Sequence, residues 1–317
     1  MNLDFILDVL STGLRMATPF ILVGLGGLIS LSAGDLNISL EGFMLIGAFF
    51  AVLGSYLFES YVIGICFAVL AALIYGLLFG LFTIKLKADV FVVGIALNLL
   101  ASEATVFFSR LFFNVRGSFS DPRIEGIPNI HMAFLDDVPV LDQLLNNHSA
   151  FVYISWIMIV IFWFLVYRTP YGFYFRAAGE HPEALETTGI RVNKIRWIAN
   201  TICSVMCGLA GAHLSLGYLK MFVEDMTAGR GFIALSAVIF GGSNPVTMAI
   251  TSLLFGLAEG ISLRIQNMGI PSQFTLMLPY LTTILALIFR AVRKSRKTTT
   301  LLTSIALTDT ETKGGKL

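Results

Sequence analysis

The chain has 317 residues, of which 56% are hydrophobic and only 13% are charged, and its net charge is +1. Soluble globular domains have about a quarter of their residues charged, so this composition excludes that class and indicates a membrane protein. The balanced charge also excludes a nucleic-acid-binding protein, because no dense face of Lys and Arg precedes the C-terminal tail.

Apolar runs of about eighteen residues or more are long enough to cross a bilayer as helices. Eight such runs follow one another along the chain: 12–33, 41–58, 61–84, 89–113, 149–168, 195–219, 246–264 and 272–292. A ninth run, 231–242, is too short for an unbroken crossing and lies between "GRG" and "GGSNP", which predicts a half-helix or a re-entrant segment. We therefore expect an all-α polytopic membrane protein with about eight to nine transmembrane helices, some of them broken.

The orientation of these helices follows from Lys and Arg in short loops, which resist translocation and mark the cytoplasmic side. They cluster at 85–87, within 168–196 and within 290–297, whereas the segment 114–148 has an acidic excess and is expected outside. The C-terminus is then cytoplasmic. Counting three runs before the first cluster puts the N-terminus outside, but almost no charge supports that end, so its orientation stays open.

The chain divides into two parts by composition. Residues 1–294 contain all of the apolar runs and are expected to form one transmembrane domain. Residues 295–317 are rich in Thr and Lys without any periodicity, which predicts a disordered cytoplasmic tail.

Two polar breaks interrupt the apolar sequence. In lipid, unwound backbone persists only beside protein or a water-filled cavity, so such breaks predict a solute pathway. The first break, "SAGDLNISLEG", contains Asn37 and Glu41, and the second, "AGRGFIALSAVIFGGSNP", places Arg230 at the start of the short run. Asn98 is a polar residue inside the fourth run. We expect these four residues to line the pathway; an exposed turn and a surface arginine are the alternative interpretations of the two breaks.

Other charged residues lie inside the predicted spans, where they are costly. Glu103 follows Asn98 by five residues, about 140° around a helix, so the two cannot form a proton relay on one face. Glu259 and Arg264 lie towards the outer end of the run 246–264, where they are expected to snorkel or to pair with each other.

The sequence contains none of the common catalytic or nucleotide-binding motifs. There is no phosphate-binding GxxxxGK[ST] loop, no G-x-S-x-G elbow and no H-E-x-x-H helix. Cys66, Cys203 and Cys207 lie within apolar runs, which favours packing over a disulfide or a metal site. We expect no cofactor, no metal and no catalytic residues, so any ATP hydrolysis must come from another polypeptide.

A charged island, "FRAAGEHPEALETTGIRV", separates two apolar runs on the predicted cytoplasmic side. Pro182 fits the first position of a helix, Glu183 its first turn and Gly189 its end, which predicts a helix of about two turns. The helix fits either a solvated linker or a rigid knob that a soluble partner binds.

Four stretches of the chain resemble a known family. They are "GDLNISLEGFMLIGAF", "YGFYFRAAGEHPEALETTGI", "GRGFIALSAVIFGGSNP" and "LRIQNMGIPSQFTLMLPYLTTILAL", spread over most of the chain in the order of that family. The family is the permease subunits of bacterial ABC importers of the branched-chain amino acid, ribose and nucleoside type, and the similarity is greatest to nucleoside or simple-sugar members. The chain departs from the family pattern at Asp35 and at Glu103, which lies in a span that is usually neutral.

The resemblance implies a multi-pass permease of the bacterial inner membrane that works with three partners. These are a second permease subunit, expected to be a paralogue, a cytoplasmic ABC ATPase and an extracytoplasmic substrate-binding lipoprotein. The charged island would be the helix that couples the permease to the ATPase, and the residues assigned to it are Gly179, Glu180, His181, Pro182, Ala184, Leu185, Glu186 and Gly189.

The resulting interpretation is a non-enzymatic permease that translocates nucleosides, or a related simple sugar, by alternating access driven by a separate ATPase. The alternative is an ion- or proton-coupled secondary transporter that acts without an ATPase and uses Glu103 and Glu259 as its intramembrane carboxylates. A membrane-embedded enzyme ranks last, because no cluster of polar catalytic residues is visible at either end of the spans.

Overall fold

The computed structural model describes residues 3–132 and 139–266, together with positions 277, 279, 281–285 and 288. The described chain is mostly helical. The helices are α1 Leu3–Ser32, α2 Leu40–Phe58, α3 Tyr61–Gly80, α4 Val90–Phe108, α5 Pro139–Leu145, α6 Ala150–Arg168, α7 Pro170–Glu180, α8 Pro182–Thr187, α9 Val192–Ala212, α10 Arg230–Gly241 and α11 Pro245–Gln266. Three of them continue as π-helical turns, α3 at Leu81–Lys85, α4 at Ser109–Phe113 and α9 at His213–Leu219.

Seven helices of the described chain are long and apolar enough to cross a membrane. They are Ile6–Ser32, Leu40–Phe58, Tyr61–Lys85, Val90–Phe113, Ala150–Arg168, Val192–Leu219 and Pro245–Gln266. These spans confirm the first seven predicted runs, and α10, with 12 residues, matches the predicted short run. The run 272–292 and the tail 295–317 lie wholly or largely outside the described residues, so the count of eight to nine helices stays a prediction.

The bundle has an inner and an outer group of helices. The spanning parts of α1 and α2 are each 83% buried, and that of α9 is 67% buried, whereas those of α3, α4 and α6 are about one-third buried or less. Small residues allow the inner helices to approach closely: a Cβ atom on Gly47 of α2 would lie 2.8 Å from the Cα of Gly208 in α9. Close packing through glycine is typical of helices in membranes.

Four short strands connect segments at one end of the bundle. β1 (Ser118–Phe119) pairs antiparallel with β4 (Phe222–Val223), and β2 (Asn129–Ile130) pairs antiparallel with β3 (His148–Ser149). The segment after α4 is therefore joined both to the chain before α6 and to the chain after α9. These strands are not predictable from the sequence, because two-residue strands have no measurable periodicity.

Contacts between loops show which of them share a face of the molecule. The turn after α1 contacts α7, since a Cβ atom on Gly34 would lie 3.1 Å from the Cα of Gly179. At the opposite end, the backbone N–H of Tyr61 donates to the Glu125 carboxylate at 3.0 Å. The start of α1 thus lies on the face opposite to the charged island, which agrees with the count of three spans before Lys85.

Candidate functional site

The first polar break forms a turn that returns into the bundle before α2 begins. Ser39 occupies the N-cap position of α2 but its side chain makes no capping hydrogen bond to the helix. Asn98 of α4 supplies the cap instead: its Oδ1 accepts from the Gly42 N–H at 2.8 Å, and its Nδ2 donates to the Ile38 carbonyl at 3.0 Å. Since Asn98 lies eight residues into α4, about 12 Å along its axis, α2 begins well inside the bundle.

The second polar break places the start of α10 directly against the start of α2. The Glu41 carboxylate accepts hydrogen bonds from the backbone N–H groups of Gly229, at 2.8 Å, and of Gly231, at 2.5 Å. A Cβ atom on Gly231 would lie 2.5 Å from the Glu41 nitrogen, so only glycine permits this approach. Glu41 therefore satisfies N–H groups that the first turn of any helix leaves unpaired.

Arg230 joins α10 to α11 through a partly buried ion pair. Its Nε and Nη2 atoms donate to Oε1 of Glu259 at 2.9 and 2.5 Å, and its Nη1 donates to the Met226 carbonyl at 2.9 Å. The expected pair of Glu259 with Arg264 is wrong, because Arg264 binds Asp8 at 3.2 Å instead. Five residues separate Glu259 from Arg264, which turns their side chains about 140° apart on the helix.

The predicted pathway residues lie around the starts of α2 and α10. We call Asn37, Glu41, Asn98, Arg230 and Glu259 the polar centre. Asn37 accepts from the Ser39 N–H at 2.9 Å, and Asn37, Glu41 and Glu259 are each less than a tenth exposed. The four predicted residues therefore bind backbone or side-chain groups of this chain, and their role in a pathway stays a prediction.

The charged island contains two helices joined at an elbow. α8 begins at Pro182 and is followed by Gly189, whose φ of +86° suits glycine, so the predicted short helix is present. α7 was missed by the sequence analysis, although Pro170 at its first turn is a start signal. Gly179 and Glu180 lie on α7, and His181 is the elbow.

One side of this elbow is an open groove of about 460 Å³. Its lining residues are Phe173, Arg176, Ala177, Glu180, His181, Ala184, Leu185 and Thr188. Phe173 is 62% exposed, whereas Leu185 is only 3% exposed and forms the floor against the bundle. The groove is thus an apolar surface edged by one cation and one carboxylate.

The other side of the elbow packs on the turn between α1 and α2. A Cβ atom on Gly179 would collide with the Ser32 carbonyl oxygen and lie 3.0 Å from the Gly34 nitrogen. Arg196 of α9 donates to the Ala33 carbonyl at 3.3 Å. Burial raises the pKa of Asp35 in this turn, and the charge of Arg196 opposes that increase. Backbone, rather than flexible side chains, therefore connects the elbow to the chain that leads into the polar centre.

A second polar group lies at the opposite end of the bundle. Nε of Arg15 donates to Nδ1 of His148 at 3.0 Å, so the other nitrogen of that ring donates to the Leu144 carbonyl, at 2.8 Å. Burial lowers the pKa of His148, the hydrogen bond to the Leu144 carbonyl opposes that decrease, and the charge of Arg15 adds to it. A cavity of about 220 Å³ adjoins this group and is also lined by Lys220. This polar group was not predicted from the sequence, because its members come from four separate segments.

Comparison with known proteins places this architecture in a family. The family model described as branched-chain amino acid transport system / permease component matches residues 9–287. The chain is 36% identical to the guanosine ABC transporter permease protein NupQ of Bacillus subtilis over 283 residues, which cover 86% of this chain and 88% of NupQ.

Two further relatives cover nearly the same length. The putative glucose ABC transporter permease protein TsgC13 of Haloferax volcanii is 32% identical, over 92% of this chain and 94% of its own. The nucleoside ABC transporter permease protein NupC of Lactococcus lactis is 31% identical, over 88% of this chain and 90% of its own. No solved structure gives a significant match. The match of the family model to residues 9–287 and the identity to these relatives over most of the chain show that it belongs to the branched-chain amino acid transport system permease family, and the seven spanning helices agree with that.

Proposed function

We propose that this chain is the membrane-spanning permease subunit of an ABC importer that carries nucleosides, or a related simple sugar, into the cell. The observation that carries the proposal is the α7–α8 elbow, which combines an open groove on one side with a backbone contact, on the other, to the turn that leads into the polar centre. The names of the similar proteins, which specify guanosine, nucleosides and glucose, support the solute class.

In this proposal, a separate cytoplasmic ABC ATPase binds the groove of the elbow. Phe173 and Ala184 offer apolar surface, while Arg176 and Glu180 offer one charge of each sign at its edge. Such a surface suits a folded protein partner better than solvent, since an apolar side chain can fill the groove while polar groups pair around it. The groove includes four of the predicted coupling residues, Glu180, His181, Ala184 and Leu185.

Movement of the elbow would reach the polar centre through backbone. Gly179 touches Gly34 without intervening side chains, and eight residues of chain lead from Gly34 to Gly42 at the start of α2. There Asn98 holds the first turn of α2, and Glu41 holds the start of α10. Rigid displacement of α7 and α8 is therefore expected to shift both broken helices together, which is alternating access by movement of packed elements.

The solute pathway is proposed to include Asn37, Glu41, Asn98 and Arg230. Separation of α2 from α10 would break the hydrogen bonds between the Glu41 carboxylate and the N–H groups of α10. Both the N–H groups and the carboxylate would then be free to bind solute. These released donors and acceptors suit hydroxylated solutes, because a hydroxyl group can both donate and accept a hydrogen bond. No chemical change of the solute is required, so the subunit has no catalytic role.

The proposal includes the remaining partners and the location of the chain. A second permease subunit, a paralogue or a copy, would complete the passage, and an extracytoplasmic lipoprotein would deliver the solute. The multi-pass chain would lie in the bacterial inner membrane as one domain over 1–294 with a cytoplasmic C-terminus. A secondary transporter is not favoured, since Arg230 binds one of its two carboxylates, Glu259, and the other, Glu103, is exposed on the outside of the bundle.

The experiment fills the groove and measures uptake. Ala184→Trp places a large side chain in the groove, and Thr187→Trp places the same side chain on α8 at an exposed position that does not line it. With the complete transporter co-expressed, we expect Ala184→Trp to reduce nucleoside uptake about tenfold and to lose the ATPase on purification, because central groups of an interface dominate binding. Thr187→Trp is expected to behave as wild type.

The proposal fails if Ala184→Trp retains both wild-type uptake and the bound ATPase. It also fails if uptake of nucleosides or sugars is the same with and without the ATPase gene, because a secondary transporter would give that result.

A further inference from the structure

The cavity of about 220 Å³ beside Arg15 and His148 has no part in the proposed function. We call it the Arg15 cavity. Sites that hold whole small molecules usually measure about 300–1,000 Å³, so this one is better suited to a small chemical group than to a complete nucleoside. The charges and hydrogen-bond donors around it indicate which group that is.

The two charged side chains that line the Arg15 cavity are both cations. They are Arg15 of α1 and Lys220, which follows the π-helical continuation of α9. Carboxylates of the neighbouring segments make hydrogen bonds of their own: Asp8 with Gln143, Asp142 with Asn146, and Glu125 with the Tyr61 N–H. The part of the chain that the structure describes puts no carboxylate in the lining, so the cavity attracts anions.

Arg15 is held in position by a buried histidine. Its Nε donates to Nδ1 of His148, which is only 1% exposed and is itself bound to the Leu144 carbonyl. This contact uses one edge of the guanidinium group. Among the described residues, no acceptor binds Nη1 or Nη2 of Arg15. A guanidinium group fixed in this way keeps a planar pair of donors, which matches two oxygens of an oxyanion.

Lys220 is positioned by the backbone and by a close contact of its stem. Its φ of +52° is left-handed, which is uncommon for a residue with a Cβ atom. A Cβ atom on Gly126 would collide with Cε of Lys220, so the stem of the lysine lies directly on the segment between α4 and α5. The Ile127 N–H donates to the Leu216 carbonyl at 3.1 Å and fixes that segment to α9. The ammonium group is therefore held near the cavity although the residue is exposed.

The Arg15 cavity lies where two spanning helices end. Ser149, in its lining, directly precedes the span Ala150–Arg168, and Tyr218 is the next-to-last residue of the span Val192–Leu219. Tyr218 also lines the cavity and is 38% exposed. Tyrosine is enriched at the level of lipid headgroups, so the cavity lies at the depth of headgroup phosphates.

We propose that the Arg15 cavity binds a phosphate group, which is either the headgroup phosphate of a phospholipid or free phosphate. Nη1 and Nη2 of Arg15 donate to two of its oxygens and the ammonium group of Lys220 to a third. The side chains of Asn129 and Tyr218 line the same cavity and carry further donors. The bound group thereby links α1, the end of α9 and the segment before α5.

The test compares melting temperatures of the purified, delipidated full chain in detergent micelles. One arm adds inorganic phosphate against chloride at equal ionic strength, and the other adds phosphatidylglycerol against phosphatidylcholine. Lys220→Gln is compared with Lys87→Gln, because Lys87 is also exposed, with a left-handed φ of +54°, but lies in the connection between α3 and α4. Phosphate stabilises many proteins without binding to a site, so the difference between the variants is the readout.

We expect at least one of the two ligands to raise the melting temperature of the wild type, because a ligand that binds only the folded chain stabilises it. The half-saturating concentration is expected to be the same for Lys87→Gln and about tenfold higher for Lys220→Gln, since a hydrogen bond to a charged group contributes at least that factor. Phosphatidylglycerol alone acting would assign a lipid headgroup, inorganic phosphate alone a free ion, and both together a phosphate group from either source.

Asn129→Asp is the second variant. Asn129 is exposed in the cavity lining, and its side chain makes no hydrogen bond within the described ranges, so the nearly isosteric change is not expected to disturb the fold. The new carboxylate competes for Arg15 and Lys220, and we expect it to abolish the ligand-dependent shift in both arms. Wild-type half-saturation in Lys220→Gln or in Asn129→Asp overturns the proposal. So does the absence of a wild-type shift in both arms, which leaves an acidic side chain of a protein partner as the alternative.

Discussion

Glu41 shows how a charged residue is accommodated inside this bundle. The residue is 7% exposed, and its carboxylate binds the N–H groups of Gly229 and Gly231 at the start of α10. The partial positive charge at a helix N-terminus favours such an anion. The residue is thus as much a structural cap between two broken helices as a candidate for solute binding.

Replacement of Glu41 tests this structural role. Glu41→Ala leaves two buried N–H groups without an acceptor, so we expect a loss of about 1–3 kcal/mol in the free energy of unfolding and a clearly lower melting temperature. Glu41→Gln keeps one acceptor oxygen and is expected to lose less. Thermal stability of the detergent-solubilised protein measures both effects.

Glu59→Ala, at an exposed position, is the control for the Glu41 variants. Equal melting temperatures for Glu41→Ala and Glu59→Ala would contradict the assignment of Glu41 as a cap.

At the level of secondary structure, the two helices of the charged island act as one element. α7 and α8 meet at His181, and α7 contacts the turn after α1 through Gly179. Because both partners in this contact are glycine, the elbow and the turn approach at backbone distance. A small shift of one is transmitted to the other, since packed backbone is not easily deformed.

Gly179→Ala tests whether this contact transmits movement. The added methyl group collides with the Ser32 carbonyl, so we expect ATP hydrolysis to continue while the amount of solute carried per ATP falls about tenfold. The measurement is uptake and phosphate release in proteoliposomes with the complete transporter. Gly117→Asn, on the outer segment where no atom lies within 4 Å of the added Cβ, is the control; asparagine is chosen because the φ of +89° there is left-handed, a region that it enters more readily than other side chains.

Arg196→Gln provides a second test that introduces no collision. It removes the guanidinium hydrogen bond to the Ala33 carbonyl and loosens the same turn from α9. A wild-type ratio of solute to ATP in both Gly179→Ala and Arg196→Gln would show that the turn does not couple the elbow to the polar centre.

Across the whole molecule, successive connections between the spanning helices lie on alternate faces. The turn after α1 lies beside α7, and the connection between α2 and α3 lies beside Glu125 of the outer segment. The inner helices α1, α2 and α9 run between the two faces through the centre of the bundle. The helices α3, α4 and α6 present apolar surface outward. This arrangement predicts a definite orientation once the Lys- and Arg-rich loops are assigned to the cytoplasm.

Cysteine labelling in whole cells tests the orientation. In a Cys66→Ser background, we expect Glu59→Cys to react with an impermeant maleimide in intact cells and Lys87→Cys to react only after permeabilisation. Each lies in a short connection on either side of α3. Reaction of both, or of neither, in intact cells would contradict the predicted crossing of α3.

The sequence was sufficient for the spans, because length and hydropathy alone decide whether a helix can cross a bilayer. Seven predicted runs are confirmed within one to a few residues at most ends, and α1 begins earlier than predicted. The short helix α8 was also predictable, since Pro182 and Gly189 are local start and stop signals. These features depend on neighbours in the chain and not on distant contacts.

The arrangement of the polar groups required the tertiary structure. Asn98, Glu41 and Arg230 were recognisable as costly residues, but their partners lie 56, 188 and 29 positions away in the sequence. The pairing of Glu259 with Arg230 rather than Arg264, and the exposure of Glu103 on the outside of the bundle, depend on how the helices rotate against one another. The sequence by itself determined which segments cross the membrane, because the free energy of moving a segment from water to lipid depends on its own residues. Only the tertiary structure decided which polar groups meet, because each buried polar group needs a partner and that partner lies on another helix.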